Sequence, residues 1–374
     1  MSIDFSPSAR PTLGVEWELA LVDRTTRDLS NSAEELFAAL HEAHGEQPQV
    51  HQELLRNTVE VVTGVCDSAA EAVADLAGTL RLVQPVAEAL GTDLYGAGTH
   101  PFAQWSRQLL TPGHRYEELI ARTQWWGRQM LIWGVHVHVG VAERGQLMPI
   151  VSSLLQHYPH LQALSASSPM WSGTDTGYAS NRAMMFQQLP TAGLPFQFQA
   201  WEEYEAFVED HLRTGVIDHL SDIRWDIRPS PRLGTVEVRV CDGMSNLREL
   251  AALTALTHCL VVDLEDRLTA GETLPTMPVW YVQENKWRAA RYGLDAEIIL
   301  DTAGREALVT DDLADLLTQL EPVARRLDCE AELRSVEEIS REGASYQRQR
   351  AVAERTGGDL VAVVDSVVRE LDLR

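Results

Sequence analysis

Apolar residues recur along the chain with two different periods, and each period predicts one kind of element. Spacings of three and four residues predict helices over 33–44, 69–90 and 247–268. Further helical patterns lie near 113–130, 146–165, 202–214, 310–328 and 345–372. Short segments with strict alternation between them predict β-strands. Strands and helices follow each other without a steady rhythm, which favours an α+β fold with helices against an antiparallel sheet.

Polar residues at the predicted helix starts support three of these helices. Each start has a Ser or Asn three residues before a Glu, which is the spacing of a capping box. The pairs are Ser32–Glu35, Ser68–Glu71 and Asn246–Glu249. No long linker rich in Gly, Ser or Pro divides the chain. We therefore expect one domain over residues 1–374, with a helical C-terminal region from about residue 300.

Four strand-like segments share an unusual polar face. The first begins at Leu13, and the other three cover residues 59–65, 133–141 and 235–241. Alternate residues of a strand point to opposite faces, and one face of each segment is strongly apolar. The opposite faces carry Glu16, Glu18, Glu60, His136, His138, Glu237, Arg239 and Cys241. A solvated strand face would usually include Lys, and these faces have none. Pairing in one sheet would therefore create a concave surface rich in carboxylates and imidazoles, although each strand alone could simply face water.

A surface of this kind is stable only when positive charge balances its carboxylates. Clustered carboxylates repel one another unless cations neutralise them. Oxygen ligands suit Mg²⁺ and Mn²⁺, and Mg²⁺ usually works together with substrate phosphates. Arg239, beside Glu237, is placed to hold a phosphate or carboxylate by two donors. Two other readings remain open from the residues: a zinc-dependent hydrolase using the His136-x-His138 pair, and a non-catalytic sensor of amino acids or nucleotides.

Three further segments are candidates for ligand binding. Residues 96–102 form a Gly-rich turn, and residues 173–182 form a polar loop with side chains typical of substrate recognition. Residues 285–293 are a basic island that could meet phosphates or could be a solvated helix face. The sequence contains no P-loop, no GxGxxG fingerprint and no GxSxG elbow. A bound nucleotide would therefore have to contact metals and arginines on the sheet.

Composition narrows the partners and the compartment. The net charge of −24 disfavours nucleic acid and anionic membranes, and leaves small-molecule substrates. The four cysteines form no CxxC pair, which is typical of reduced thiols and a cytoplasmic protein. The first ten residues lack the apolar segment of a signal peptide, and no stretch is apolar enough to span a bilayer. Edge strands and ten tryptophans leave room for a homodimer.

Seven motifs, in order from residue 13 to residue 293, together resemble the type 2 glutamate–cysteine ligase family of carboxylate–amine ligases. The first four are Gly14-Val15-Glu16-Trp17-Glu18, Val59-Glu60-Val61, Gly98-Thr99-His100-Pro101-Phe102 and His136-Val137-His138-Val139-Gly140. The others are Asp175-Thr176-Gly177-Tyr178 with Arg182, Gly234-Thr235-Val236-Glu237-Val238-Arg239, and the run from Asn285 to Gly293. The resemblance implies a glutamine-synthetase-like fold, with a curved, mainly antiparallel sheet and helices packed on one side.

The same resemblance implies an activity and a set of roles. It implies ATP with Mg²⁺ or Mn²⁺, and the joining of glutamate to the amine of cysteine through an acyl phosphate. The implied metal ligands are Glu16, Glu18, Glu60, His138 and Glu237, with Glu53 as a weaker candidate. Arg239 and Glu237 are the implied catalytic residues, with Arg239 on the phosphate. Tyr178, Arg182 and His136 are implied substrate contacts, and Lys286 and Arg291 are implied contacts of the nucleotide phosphates.

Overall fold

The computed structural model describes residues 2–373 and contains eleven strands within them, of which the longest, in the main sheet, follow the predicted alternation. They are β1 (Leu13–Asp23), β2 (Val50–Gln52), β3 (Thr58–Val62), β4 (Thr92–Tyr95), β5 (Gly134–Gly140), β6 (Met170–Trp171), β7 (Thr174–Asp175), β8 (Ile227–Ser230), β9 (Thr235–Asp242), β10 (Glu297–Ile299) and β11 (Glu306–Leu308). Seven of them form one sheet in the order β2-β3-β1-β5-β9-β8, with β4 paired to β1. Every pairing in this sheet is antiparallel, as the sequence predicts.

Thirteen α-helices occur within the described residues. They are α1 (Ala33–His44), α2 (Ala69–Ala89), α3 (His114–Arg128), α4 (Leu147–Leu154), α5 (Tyr158–Ser165), α6 (Asn181–Phe186), α7 (Trp201–Arg213), α8 (Leu247–Thr269), α9 (Val279–Tyr292), α10 (Val309–Arg326), α11 (Glu330–Glu342), α12 (Ser345–Arg355) and α13 (Leu360–Leu371). The helical C-terminal region thus consists of α10 to α13. None of the helices in residues 2–373 is long and apolar enough to cross a membrane.

Two of the predicted helices are interrupted. The 146–165 pattern divides into α4 and α5, and Pro159 lies in the first turn of α5, where its missing N–H costs nothing. The 345–372 pattern divides into α12 and α13 because Gly357 and Gly358 have φ of 68° and 92°, outside the helical range. The sequence pattern did not predict α11, whose buried stripe is short: Leu333, Val336 and Ile339.

One face of the sheet forms the main hydrophobic core. Side chains such as Trp17, Val61, Val137 and Val238 are fully buried there, against a layer that includes α2, α4 and α8. Burying an aliphatic or aromatic side chain of this kind contributes roughly 1.5–3 kcal/mol. The other face is left for polar side chains, except at the end of β1. A second, smaller apolar cluster covers that end, and α13 contributes to it.

A β-bulge corrects one detail of the predicted strand faces. Val135 lies opposite Cys241 and Val137 lies opposite Val238, so the two residues between them on β9 face only His136. This extra residue shifts the alternation by one position. Cys241 therefore lies with Val135 on the core side, fully buried, and the prediction that it shares the polar face is wrong. All four cysteines are free, buried thiols.

The three predicted helix caps have different outcomes. Ser68 Oγ accepts a hydrogen bond from the Glu71 backbone N–H at 3.2 Å, and Asn246 Oδ1 accepts one from Glu249 at 2.9 Å. Ser32 makes no such bond. Its backbone (φ −107°, ψ 18°) is not extended as that of an N-cap usually is, and its hydroxyl accepts from Ser30 Oγ instead.

Substitution of Ser68 by Ala should destabilise the protein more than substitution of Ser32 by Ala. Loss of an N-cap hydrogen bond costs about 1 kcal/mol, while Ser32 has no cap bond to lose. The free energy of unfolding, from urea titrations followed by circular dichroism, measures both effects. Equal losses for the two variants would contradict the assignment of these caps.

Candidate active site

Strand register places a row of charged side chains across the polar face of the sheet. Residues directly opposite each other on neighbouring strands point to the same face. The opposed pairs are Glu60–Glu18 between β3 and β1, Glu16–His136 between β1 and β5, His138–Glu237 between β5 and β9, and Glu237–Arg228 between β9 and β8. We call the glutamates and histidines among these residues the carboxylate row: Glu16, Glu18, Glu60, His136, His138 and Glu237.

The carboxylate row, with one loop residue, offers three overlapping groups of ligand atoms. The groups are Glu16–His138–Glu237, Glu16–Glu60–His136 and Glu18–Glu53–Glu60, each with its ligand atoms within 4.8 Å of one another. Glu53 enters from the loop between β2 and β3. All six side chains predicted as metal ligands therefore come together, and His136 joins them. The sharing of Glu16 and Glu60 makes the three groups one continuous site.

Three of these acids resist ionisation. Burial raises the pKa of Glu60 to about 9, and repulsion by Glu53, Glu16 and Glu18 adds to the shift. Burial, together with the charge of Glu53, raises the pKa of Glu18 to about 7. Burial also raises the pKa of Glu53. Near neutral pH, Glu60 would therefore hold a proton and Glu18 would be about half protonated, unless a cation replaced the proton.

The other two acids are held ionised by their neighbours. Burial opposes ionisation of Glu237, but Arg239 and Arg228 outweigh it and hold its pKa well below the usual range. Arg228 donates to both carboxylate oxygens, with Nε at 2.7 Å and Nη2 at 3.1 Å. Burial likewise opposes ionisation of Glu16, but hydrogen bonds with His136 (2.8 Å) and His138 (3.2 Å) lower its pKa.

The ring of His136 fits a cation site better than a hydrogen-bonded pair. Burial, aided by Arg239, lowers its pKa to about 4, so the ring is neutral at pH 7. Its Nδ1 lies 2.8 Å from Glu16 Oε2 and 3.3 Å from Arg239 Nη1, and one nitrogen cannot donate to Glu16 while accepting from Arg239. Within residues 2–373, its buried Nε2 has no partner. Unpaired lone pairs among carboxylates are what a divalent cation takes as ligands.

Two arginines, Arg239 and Arg182, border the carboxylate row. Arg239 is paired with Glu237, and its Nε is buried without a partner among the described residues. Arg182 is buried, and its Nη1 donates to the carbonyls of Arg239 and Val240 at 3.2 and 3.4 Å. Its guanidinium packs on Gly134, where any Cβ would collide with it, and its charge opposes the rise in the pKa of Glu18.

Tyr178 is part of the loop that leads to Arg182, and it lies next to Arg291 of α9. The Tyr178 hydroxyl accepts from Trp287 Nε1 at 3.3 Å. The Arg291 guanidinium lies 5.8 Å from the Tyr178 ring centroid and donates to the carbonyl of Gly177. Their predicted roles in substrate and nucleotide binding remain predictions.

Lys286 pairs with an aspartate close to the β9 bulge. It is buried, and its Nζ donates to Asp226 Oδ2 at 2.7 Å, so its charge is already balanced. Tyr158 also donates to this oxygen, at 2.9 Å. The Asp226 carbonyl in turn accepts from the Arg239 backbone N–H at 2.8 Å. Lys286 thus supports the segment that contacts the β9 bulge, and its predicted contact with a nucleotide phosphate stays a prediction.

Arg228 and the neighbouring Arg224 border the site but were not predicted from the sequence. Arg228 lies on a four-residue strand that contains Pro229, too short for a clear alternation. Arg224 is also missed, although burial and the charges of Arg115, Arg239 and Arg228 lower its pKa. The available signal was the polar–apolar order Arg224-Trp225-Asp226-Ile227-Arg228. These cations make one end of the site suited to an anion.

The sequence matches a known family over nearly its whole length. The family model of glutamate-cysteine ligase family 2 (GCS2) matches residues 12–366. A Mycobacterium ulcerans protein named "Putative glutamate--cysteine ligase 2" is 69% identical over 371 residues, covering 99% of this chain and 94% of that one. A protein of Nocardioides sp. with the same type of name is 68% identical over 371 residues, covering 99% of each chain.

Solved structures share the fold at low sequence identity. The glutamate–cysteine ligase of Francisella tularensis, crystallised with AMP, has a TM-score of 0.70 and 14% identity, covering 98% of this chain and 90% of that one. A bifunctional glutathione synthetase from Pasteurella multocida has a TM-score of 0.64 and 12% identity, covering 96% and 52%. The likeness confirms the expected fold. The sequence matches show that the chain belongs to glutamate-cysteine ligase family 2.

Proposed function

We propose that this chain is an ATP-dependent carboxylate–amine ligase that joins glutamate to cysteine, with Mg²⁺ or Mn²⁺ on the carboxylate row. One observation carries the proposal: five carboxylates and two imidazoles converge on one sheet face, directly beside a group of arginines. Such a face suits divalent cations at one end and a polyanion at the other. Family membership, the names of the relatives and the AMP bound in the Francisella tularensis structure support the same function.

The cations would be held by Glu16, Glu18, Glu53, Glu60, His138 and Glu237. A bound divalent ion supplies positive charge that offsets the negative charge of the phosphates during transfer. The chain contributes the fixed geometry of its ligands. Arg228 and the His138–Thr235 hydrogen bond (2.9 Å) orient Glu237 and His138 from behind, as supporting groups usually do in such sites.

The proposed reaction has two steps. An oxygen of the substrate carboxylate attacks the γ-phosphorus of ATP, which gives an acyl phosphate and ADP. The amine nitrogen then attacks the acyl carbon, the C–O bond to phosphate breaks, and the amine loses a proton. Arg239 grips the transferred phosphoryl group by its free Nε, and Tyr178 and Arg182 bind the amino acid. None of the protein's own cysteine side chains takes part in the reaction, in agreement with the burial of all four thiols.

The zinc-hydrolase alternative has less support. The two imidazoles of His136 and His138 fall in different ligand groups, each dominated by carboxylates, among the residues that the structure describes. A hydrolytic zinc site would instead use several nitrogen or sulfur ligands on one ion. The sensor alternative predicts ATP binding without turnover, so ADP release separates it from a ligase.

Release of ADP should require three components together: an amino acid that supplies the carboxylate, an amine, and Mg²⁺. Glutamate and cysteine are the first pair to test. Glu237→Gln keeps the shape of the side chain but removes a charged ligand, and we expect turnover to fall about 100-fold or more. A coupled assay of ADP release measures this, with circular dichroism to check the fold. Glu297→Gln, an exposed change on β10, is the matched control and should keep full turnover.

Two results would count against this proposal. Absence of ADP release with every pair of acids and amines would contradict the ligase activity and favour the sensor. Normal turnover by Glu237→Gln would leave the activity in place but remove it from the carboxylate row.

Cation binding should strengthen as the pH rises. The pKa values of Glu60 (about 9) and Glu18 (about 7) exceed the 4.5 of an unperturbed glutamate, so a cation must displace their protons. Because the unfolded chain releases these protons first, their effect destabilises the metal-free protein as the pH rises from 4.5 towards 9. We therefore expect Mg²⁺ to raise the melting temperature more at about pH 8.5 than at about pH 6.

Differential scanning fluorimetry measures these shifts, with NaCl of equal ionic strength as the reference. Glu60→Gln should lose most of the difference between the two pH values, because it removes a carboxyl whose pKa is raised to about 9. An equal Mg²⁺ effect at both values would show that the carboxyls are not protonated in the metal-free protein.

A further inference from the structure

The loop between α5 and α6 is fixed at both ends on β9. Ser168 Oγ donates to Asp242 Oδ2 at 2.6 Å, and Ser180 Oγ donates to Asp242 Oδ1 at 2.8 Å. All three side chains are buried. The ends of the loop, and Arg182 just after it, therefore have a defined place relative to the carboxylate row. Between these ends lie an exposed tip and, after it, the half-buried Tyr178.

The tip is a short hairpin made of β6 and β7. Its turn residues, Ser172 and Gly173, have φ of 48° and 86°, as a two-residue hairpin turn requires. Thr174 and Asp175 on the second strand are exposed, so little apolar contact holds them. Asp175 Oδ1 accepts from the Gly177 N–H at 2.9 Å, which shapes only the local chain. The Gly173 N–H at the turn donates to the Pro101 carbonyl at 2.9 Å, and Arg291 donates to the Gly177 carbonyl just before Tyr178.

Arg350 of α12 supplies a further contact, which joins the second strand of the hairpin to the Tyr178 segment. Its Nε and Nη2 donate to the two oxygens of Asp175 at 2.9 and 2.8 Å, and Nη2 also donates to the Tyr178 carbonyl at 3.0 Å. A forked arginine–carboxylate pair is among the stronger and more directional polar contacts. We call Arg350, Asp175 and the Tyr178 carbonyl the clasp. It joins residues about half the chain apart.

The helix that carries Arg350 is itself anchored close to the site. Gln349 Nε2 donates to the Ser167 carbonyl at 2.8 Å, and the Tyr346 N–H donates to the Ala166 carbonyl at 3.0 Å. Ser345 and Ser245 hydroxyls are 2.6 Å apart. α12 is thus attached to the segment that enters the loop and to the turn that follows β9. Arg350 is held in place relative to both.

We propose that Arg350 is a positioning residue, and that the clasp holds the Tyr178 segment in the geometry that binds the amino-acid substrate. The inference rests on the proposed function for the role of Tyr178. It gives the C-terminal helices, which carry none of the family motifs, a part in building the site. The clasp is partly exposed, so its ion pair adds little to global stability, and its effect falls on the order of the loop.

Two measurements on Arg350→Ala test the clasp. Limited chymotrypsin digestion, read by mass spectrometry, should show cleavage after Tyr178 about fivefold to tenfold faster, because local opening exposes the bond. The KM for the amino acid should rise about tenfold with a smaller change in kcat, because the loop loses its bound geometry. The melting temperature should stay close to that of the wild type. Arg355→Ala, on the exposed end of the same helix, is the matched control and should change none of these.

A double variant adds a further check. Arg350→Ala combined with Asp175→Asn should be no worse than Arg350→Ala alone, because both remove the same ion pair while the Asn side-chain oxygen can still accept from the Gly177 N–H. Unchanged cleavage after Tyr178 would overturn the clasp. Faster cleavage with an unchanged KM would overturn the positioning role and leave the ligase proposal intact. If the wild type releases no ADP, the proposed function fails, and the cleavage rates still decide on the clasp.

Discussion

The opposition of Glu18 and Glu60 on neighbouring strands is the constraint on which the site depends. Like charges directly opposite each other destabilise a sheet, and here the two carboxylates are only half exposed to water and lie close to a third, that of Glu53. A sheet does not gain stability from this arrangement. The apolar face on the other side of the sheet, where Trp17 and Val61 are fully buried against helices, provides stability that offsets the repulsion between the carboxylates. The repulsion makes the face receptive to cations.

The site divides into two electrostatic halves along the strand order. On the β3 side, burial and repulsion raise the pKa values of Glu18, Glu53 and Glu60. On the β9 side, arginines hold the pKa of Glu237 low. The β9 bulge places Arg239 at the boundary, opposite His136. A substrate with a phosphate chain can thus meet cations bound on one half and guanidinium groups on the other.

Much of this could be predicted from the sequence because strand alternation is a local property. The faces that hold Glu16, Glu60, His138 and Glu237 follow from period two alone. What alternation does not encode was missed or wrong: the bulge that moves Cys241, the short strand of Arg228, and the neutralisation of Lys286 by Asp226. Each depends on contacts between distant segments, which no spacing along one segment reports. The anchoring of the Tyr178 loop by Arg350 belongs to the same class.

The most direct test of carboxylate activation is the fate of an oxygen atom. Glutamate labelled with ¹⁸O in its carboxylates is incubated with ATP, cysteine, Mg²⁺ and the protein, and the released phosphate is analysed by mass spectrometry. Attack of the carboxylate on the γ-phosphorus predicts that each phosphate carries one labelled oxygen, and that Glu237→Gln forms almost none. Phosphate released without label would show that ATP is cleaved by water, which would contradict the proposed chemistry.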